Sequence, residues 1–466
     1  MTRTTLFLMM MLLLAAAAAG QEVLTLDKAV GTALEQNQAL RGALHDVESS
    51  HWGKQNAYTN FLPRVSLDAG LTRVDPETEL RANAALDFIR TAAGSIGVPS
   101  SALVNLKPFA YRDTYSAGMT VVQPVYNGGA EILGVQSADA LQEKSEYSYQ
   151  DTEQDVIARV KMSYYGVLAA QALVALSKEN VERTKRYLES TAHRQDLGMR
   201  TRTDVARWEV QLASDEGNRI KAENLLASAR LQLNEVMGVE LDREFTLEAY
   251  TLSTDTVAIA SGTGRPILYA SLQDMPGGSI VTMSSLESHP SWQMMNANLR
   301  LSEIGIDRSW TNFKPRINLA FQYGWERNNT VALDGYRPWA LAVSFSFPIF
   351  NGFGDYTNIQ RAREEYQRTE AQVESFRRGL LMQARNAQFN VNAARQRIDV
   401  ARKAQEQAQD VLSAVTRRYE AGGASNVDLI DVQTAYTSAK TDFIRALYDF
   451  EIAKIQLARA TGTVSR

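Results

Sequence analysis

Residues 339–352 read Trp339-Ala340-Leu341-Ala342-Val343-Ser344-Phe345-Ser346-Phe347-Pro348-Ile349-Phe350-Asn351-Gly352. Large apolar side chains alternate with small or polar ones, so each set falls on one face of an extended strand. About ten residues suffice for a tilted strand to cross a bilayer. An outer-membrane barrel wall shows this alternation, apolar outward and small or polar inward. A soluble β-sandwich alternates in the same way, and the strand alone does not choose between them. Ile317, Leu319, Phe321, Tyr323 and Trp325 alternate likewise with Asn318, Ala320, Gln322 and Gly324.

The Pro-x-x-Asn-Gly corner that ends this stretch occurs twice. Pro124, Asn127 and Gly128 recur as Pro348, Asn351 and Gly352, an offset of 224. The same offset relates Gly198 to Gly422, Asp204 to Asp428, Gln232 to Gln456 and Gly238 to Gly462. Upstream, Phe61-Leu62-Pro63-Arg64 matches Phe313-Lys314-Pro315-Arg316 at an offset of 252. The chain is thus a duplicated unit, and the first copy holds extra sequence between Pro63 and Pro124. Pro76 to Arg112, which lacks a clear period, is expected to be that enlarged loop. Weaker alternation at Val65, Leu67, Ala69 and Leu71, and from Tyr115 to Val125, supplies two strands in the first copy. Residues 21–250 form the first repeat and 281–466 the second. Residues 251–280, rich in Gly, Ser and Thr from Thr251 to Ser279, form a connecting segment expected at the waist.

Long helices follow each corner. Val160, Val167, Val174, Val181 and Leu188 recur every seven residues, as do Val391, Ile398, Leu412 and Tyr419 around a polar Gln405. The second copy's returning helix has two rows. Leu429, Tyr436, Phe443, Phe450 and Leu457 make one, and Val432, Ala439, Ala446, Ala453 and Ala460 the next. Large residues facing alanines let helices interlock, and a strict heptad winds them left-handedly. Gly128 to Leu197 would make a rod of roughly 105 Å, against about 54 Å for Thr203–Gly238 and about 57 Å for Leu24–Phe61. Two half-length helices stacked end to end match one long one. The strands then lie at one end and the turns at Gly198 and Gly422 at the other.

Composition narrows the function. Of 466 residues, 49 are Lys or Arg and 53 Asp or Glu, a balance that gives no sign of nucleic-acid binding. The absence of Cys excludes disulfides, thiol catalysis and lipid attachment at an N-terminal cysteine. Arg3, the apolar run Leu6–Leu14 and Ala17-Ala18-Ala19 read as a signal peptide over residues 1–20. None of His45, His51, His193 and His289 is spaced for a helical metal site, and no nucleophile–base set or phosphate loop stands out. Gly262-Thr263-Gly264 lacks a strand-to-helix context. Neither enzyme nor cofactor chemistry is expected. A transport conduit remains, and beside it a structural envelope protein whose coiled coils bridge two layers without a lumen.

Signal peptide, duplicated strand–corner–helix units and glycine turns together resemble the TolC-type outer-membrane efflux family over essentially the whole mature chain. The segments that carry the resemblance are Phe61–Arg64, Gln123–Gly129, Phe347–Gly352, and Tyr419-Glu420-Ala421-Gly422 through Asp428 and Asp431. The resemblance implies a mainly α chain with membrane β. Its duplicated long antiparallel coiled-coil helices are joined to four strands that contribute to a 12-stranded trimeric transmembrane β-barrel. It also implies a homotrimer in outer-membrane lipid that works with a periplasmic adaptor protein and an inner-membrane pump in efflux or type I secretion. Four strands cannot close a barrel, eight leave an interior filled by side chains, and twelve can leave an aqueous bore past Ser344, Ser346 and Gln322.

The resemblance assigns residues as well. Gly198 and Gly422 mark the turns where the adaptor docks. Thr203, Asp204 and Tyr419 match positions of a polar lock at the periplasmic tip. Ala424 stands where that family has a basic residue, so the lock is expected to be weaker or rebuilt, with Arg200, Arg202 or Arg418 as substitutes. Asp428 and Asp431 lie three apart on one helix face and match the gate, where a trimer stacks two rings of carboxylates. The alternative is that they favour the positive end of a helix capped by Asn426.

Overall fold

The computed structural model describes residues 23–99, 107–248, 281–329, 331 and 337–465. The signal peptide, the connecting segment 251–280 and Gly262–Gly264 lie outside them. The chain divides into two compact units. One takes in Met1–Glu48, Glu143–Asn296 and Ala371–Arg466, the other Ser49–Gln142 and Ala297–Glu370. Among the described residues no helix is long and apolar enough to cross a membrane.

The second unit holds a four-stranded antiparallel sheet in the order β2 (Arg64–Arg73), β3 (Asp113–Asn127), β5 (Arg316–Asn328), β6 (Trp339–Ser346). Two shorter strands elsewhere are β1 (Val23–Leu24) and β4 (Thr246–Leu247), paired in parallel. The register sorts the sheet into two faces. Val65, Val121, Phe321 and Leu341 stand in one row, and Leu67, Met119, Tyr323 and Trp339 in the next row of the same face. The opposite face carries Ser66, Thr120, Gln322 and Ala340 in one row, with Ser344 beside Asn318. β6 stops at Ser346, so Phe347 and Ile349 of the alternating run lie beyond the strand. Among the described residues, β2 and β6 each have one edge without a partner strand.

The enlarged loop is not a loop throughout. Pro76–Ser95 is a helix, α3, whose Asp75 cap accepts from the N–H groups of Glu77 and Thr78, both at 3.0 Å. Only Leu86 is buried along it, so no apolar stripe announces it. The start signal, Asp-Pro with glutamates in the first turn, is nevertheless present in the sequence.

The opening helix is likewise two: α1 (Leu26–Gln36) and α2 (Gln38–Thr59). Asn37 breaks them apart at ψ 125°. Its Oδ1 accepts from the N–H groups of Ala39 and Leu40, and its Nδ2 donates to the Val236 carbonyl at 2.7 Å. Gly238, at φ 74°, lies so close to Gln36 that a Cβ would sit 2.6 Å from its carbonyl oxygen.

The long helices and the returning helices repeat in length. α4 (Ala130–Asp196) and α7 (Gly354–Glu420) have 67 residues each, α5 (Arg202–Met237) and α8 (Asn426–Thr461) have 36 each, and α6 (Pro290–Trp310) opens the second copy. The heptad rows are buried as their spacing requires. Val160 and Val167 are inaccessible, and Val391, Ile398, Phe443, Ala446, Phe450 and Ala453 form one cluster. A larger cluster joins Val156, Val160, Val167, Leu233 and Met237 to Ala29, Val30 and Ala33 of α1.

Candidate functional site

The two glycine turns are built alike. At the end of α4, Gly198 takes φ 71°, and the Met199 N–H reaches back to the Arg194 carbonyl at 2.8 Å. At the end of α7, Gly422 takes φ 78°, and the Gly423 N–H reaches the Arg418 carbonyl at 2.8 Å. These left-handed glycines satisfy the last helical carbonyls and release the chain into the next helix. Nothing lies within 4 Å of a Cβ built on either, so the positive φ, not space, selects glycine there. Leu197 and Met199 beside Gly198 are exposed.

Both returning helices open with a capping box. Thr201 and Asp204 cap each other at the start of α5, and Ser425 and Asp428 at the start of α8. The cap of α8 is therefore Ser425 and not Asn426, as expected from sequence. Its hydroxyl accepts from the Asp428 N–H at 3.1 Å, and the Asp428 carboxylate accepts from the Ser425 N–H at 2.9 Å. That N–H and then the Ser425 hydroxyl hold the Asp428 carboxyl below the usual carboxylate range. The Thr201 N–H, and then its hydroxyl, do the same for Asp204. Asp431 is exposed one turn beyond the box.

Asn426 does something else. It is 2% exposed, and its Nδ2 donates to the Asp204 carbonyl at 3.1 Å and to Asp204 Oδ1 at 3.2 Å. The expected lock residue Asp204 thus has a partner in the second repeat, a neutral amide rather than a guanidinium. Thr203 is exposed, and the hydroxyl that meets Asp204 is that of Thr201, at 2.8 Å.

Tyr419 is buried and shares a hydrogen bond with Thr191 at 3.1 Å. Arg200 lies over its ring at 4.9 Å, and Tyr187 meets its edge while stacking on Trp208 at 5.1 Å. Ala424 fills the same cluster beside Leu429. Of the residues expected to replace the missing basic one, Arg200 meets Tyr419 over its ring, and Arg418 donates to the Gly423 carbonyl at 3.3 Å.

A second polar node lies deeper. Thr184 donates to Asp215 at 2.7 Å and accepts from Gln433 at 3.1 Å, while Gln211 donates to Asp215 at 3.0 Å. Lys440 pairs with Glu179 at 2.9 Å. Neither Trp208 nor this node carries a sequence motif. A buried Thr or Gln on a helix looks like a surface residue until its neighbours are known.

Strand faces, heptad rods and paired turns together set the comparison with known proteins. The outer membrane efflux protein family matches residues 29–239 and 282–463. The chain belongs to that family. It is similar to outer membrane protein TolC of Escherichia coli strain K12, with 25% identity over 75% of this chain and 70% of that one. It is also similar to protein CyaE of Bordetella pertussis, with 22% identity over 95% of this chain and 85% of that one. The fold matches the crystal structure of the Campylobacter jejuni CmeC outer membrane channel with a TM-score of 0.75 at 17% identity, over 94% of this chain and 85% of that one. This efflux protein is an exit duct of the outer membrane that extends into the periplasm.

Proposed function

We infer that three copies of the chain close a 12-stranded barrel and a helical tube, making a passive conduit gated at its periplasmic tip. The observation that carries this reading is the sheet. Among the described residues it has two edges without partner strands, one face of large apolar side chains and one of small or polar ones. In lipid an open edge strands backbone N–H and C=O groups, so the edges must pair with other copies. The apolar face then meets lipid and the other lines water.

At the tip, Asp428 and Asp431 from three chains supply the gate, and Asp204 and Tyr419, with the matching position Thr203, mark the lock. The turns at Gly198 and Gly422 dock an adaptor that links the duct to an inner-membrane pump, and the pump selects the cargo. The two repeats remain 21–250 and 281–466, with 251–280 between them.

Mass measurement in mild detergent tests the assembly, and planar-bilayer recording tests the bore. Three chains per particle and stepwise ion conductance are expected. A stable monomer, or trimers without conductance, would favour a structural envelope protein.

A further inference from the structure

The duplicated motif ending in Arg64 and Arg316 has no part in the gate, the lock or the docking turns. Both arginines open a strand, β2 and β5 respectively, at the end where the helices join. Both are exposed. Each guanidinium donates to the asparagine four residues earlier, Arg64 to Asn60 and Arg316 to Asn312, in both cases at 3.2 Å. Among the described residues neither arginine has a carboxylate within ion-pair distance. The asparagine oxygen orients a guanidinium without neutralising it, and leaves most of its five N–H donors free.

The register places both on the small, polar face. Arg64 lies opposite Val122, two residues before Ser66, and Arg316 lies opposite Ser346, two residues before Asn318. The acids of that face lie farther along. Asp68 is in the row of Gly118 and Gly324, and Glu326 is in the next row with Ser116. Arg64 and Asp68 are separated by roughly 13 Å at ~3.3 Å per residue, beyond a Debye length of ~10 Å. The positive end of the face is therefore not cancelled by the negative one.

We propose that Arg64 and Arg316 form a cationic collar at the helix-side mouth of the bore, which sets a preference for anionic groups (carboxylate, phosphate or sulfonate) on what passes. The proposal rests on the barrel reading, in which this face lines water and three chains contribute six arginines. It places two filters of opposite sign in series, acids at the tip and arginines where the tube becomes a barrel. A guanidinium is a fitting group for the second, because it stays charged and recognises oxyanions without a metal.

Reversal potentials across a potassium chloride gradient test it, in channels whose tip acids are removed by Asp428→Ala and Asp431→Ala so that the tip does not mask the collar. Adding Arg64→Gln with Arg316→Gln should lower the chloride-to-potassium permeability ratio roughly threefold. That is less than the tenfold and more reached by focused potentials, because a wide bore is partly screened. Arg64→Lys with Arg316→Lys should keep the ratio. An unchanged ratio in conducting glutamine channels overturns the collar and leaves the duct standing, whereas absence of conductance in the natural protein overturns the duct itself. A second measurement uses the unaltered chain. Inorganic pyrophosphate at low salt should reduce its conductance and excess chloride should relieve the block, and no reduction from either side refutes the collar.

Discussion

The side-chain amide of Asn426 donates to both the carbonyl and the carboxylate of Asp204, so one buried group ties the start of α8 to the start of α5. Each repeat presents its Asp at the third position of a returning helix, yet only the second repeat adds the asparagine that reaches across. The first repeat has Arg202 at the equivalent position. The tie is charge-assisted at one of its two contacts, and the Asn426 side chain that makes it is buried.

Asn426→Ala should therefore loosen the tip. Losing a hydrogen bond to a charged group costs about 2 kcal/mol, which is about a thirtyfold rise in the open fraction at rest. Single-channel recording of resting activity measures it. Asn426→Asp, which faces Asp204 with a second carboxylate, should open the tip further at neutral pH and less in acid. A resting activity equal to that of the natural protein in both variants would remove Asn426 from the lock.

The residues that were legible in the sequence are those whose role repeats. Val160, Val167 and Val174 recur because a seam needs them every seven residues, and Phe345, Val343 and Leu341 because a strand turns every second residue outward. The glycine turns were legible because they follow from the backbone's own unsatisfied groups, whereas the capping boxes at Thr201 and Ser425 were not, Asn426 reading as the cap. α3 was not, since with Leu86 alone buried it has no periodic face to read. The break at Asn37 and the Asn426–Asp204 link were not either. Each is a single amide whose partner lies far away in the chain, about 200 residues off for Asn37 and 222 for Asn426. Asn426 looked like a cap because asparagine one position from a helix start usually is one.

Asp428 and Asp431 should separate in their effects. The Asp428 carboxylate is occupied by Ser425, while Asp431 is exposed and free of the box. Asp431→Ala alone should remove most of the blockade by a trivalent cation such as hexamminecobalt and leave helix content unchanged. Asp428→Ala should lower blockade less and fray the first turn of α8, seen as a small loss of helical circular dichroism. If Asp428→Ala alone abolished blockade with helix content intact, the assignment between the two would be reversed.

Acid should weaken the fold through His289. It is 2% exposed, its Nδ1 accepts from the Ser291 N–H at 3.2 Å, and its Nε2 therefore donates to the Arg459 carbonyl at 3.3 Å. That pattern belongs to a neutral ring. Burial, with Arg459 adding to it, pushes its pKa below the ordinary value, against the opposing Arg459 carbonyl and Asp151. The unfolded chain takes up the proton first, near pH ~6.5. Stability is thus full above that pH and falls as pH drops towards the folded-state value, by at most about 1.4 kcal/mol per pH unit for one proton. Thermal midpoints compared between about pH 7.5 and 5.5 should fall for the natural chain. They should fall less for His289→Gln, which retains an N–H donor. Equal slopes would mean that the ring is charged or that other groups dominate.

The two faces of β6 should respond oppositely to the same charge. Leu341 stands in the apolar row with Phe321, Val121 and Val65, and Ser344 stands opposite Asn318 on the polar face. Both are exposed in the single chain, so exposure alone does not tell them apart. An arginine on the lipid side near the bilayer midplane costs about 2–4 kcal/mol, whereas on the water-lined side it remains solvated. Leu341→Arg should sharply reduce the yield of assembled protein in the outer membrane. Ser344→Arg should assemble normally and add positive charge to the bore. Gel mobility without heating, which separates assembled from unfolded chains, reads the first effect, and a rise in anion permeability reads the second. If Ser344→Arg abolished assembly while Leu341→Arg was tolerated, the faces would be assigned the wrong way round and the bore would have to lie on the other side of the sheet.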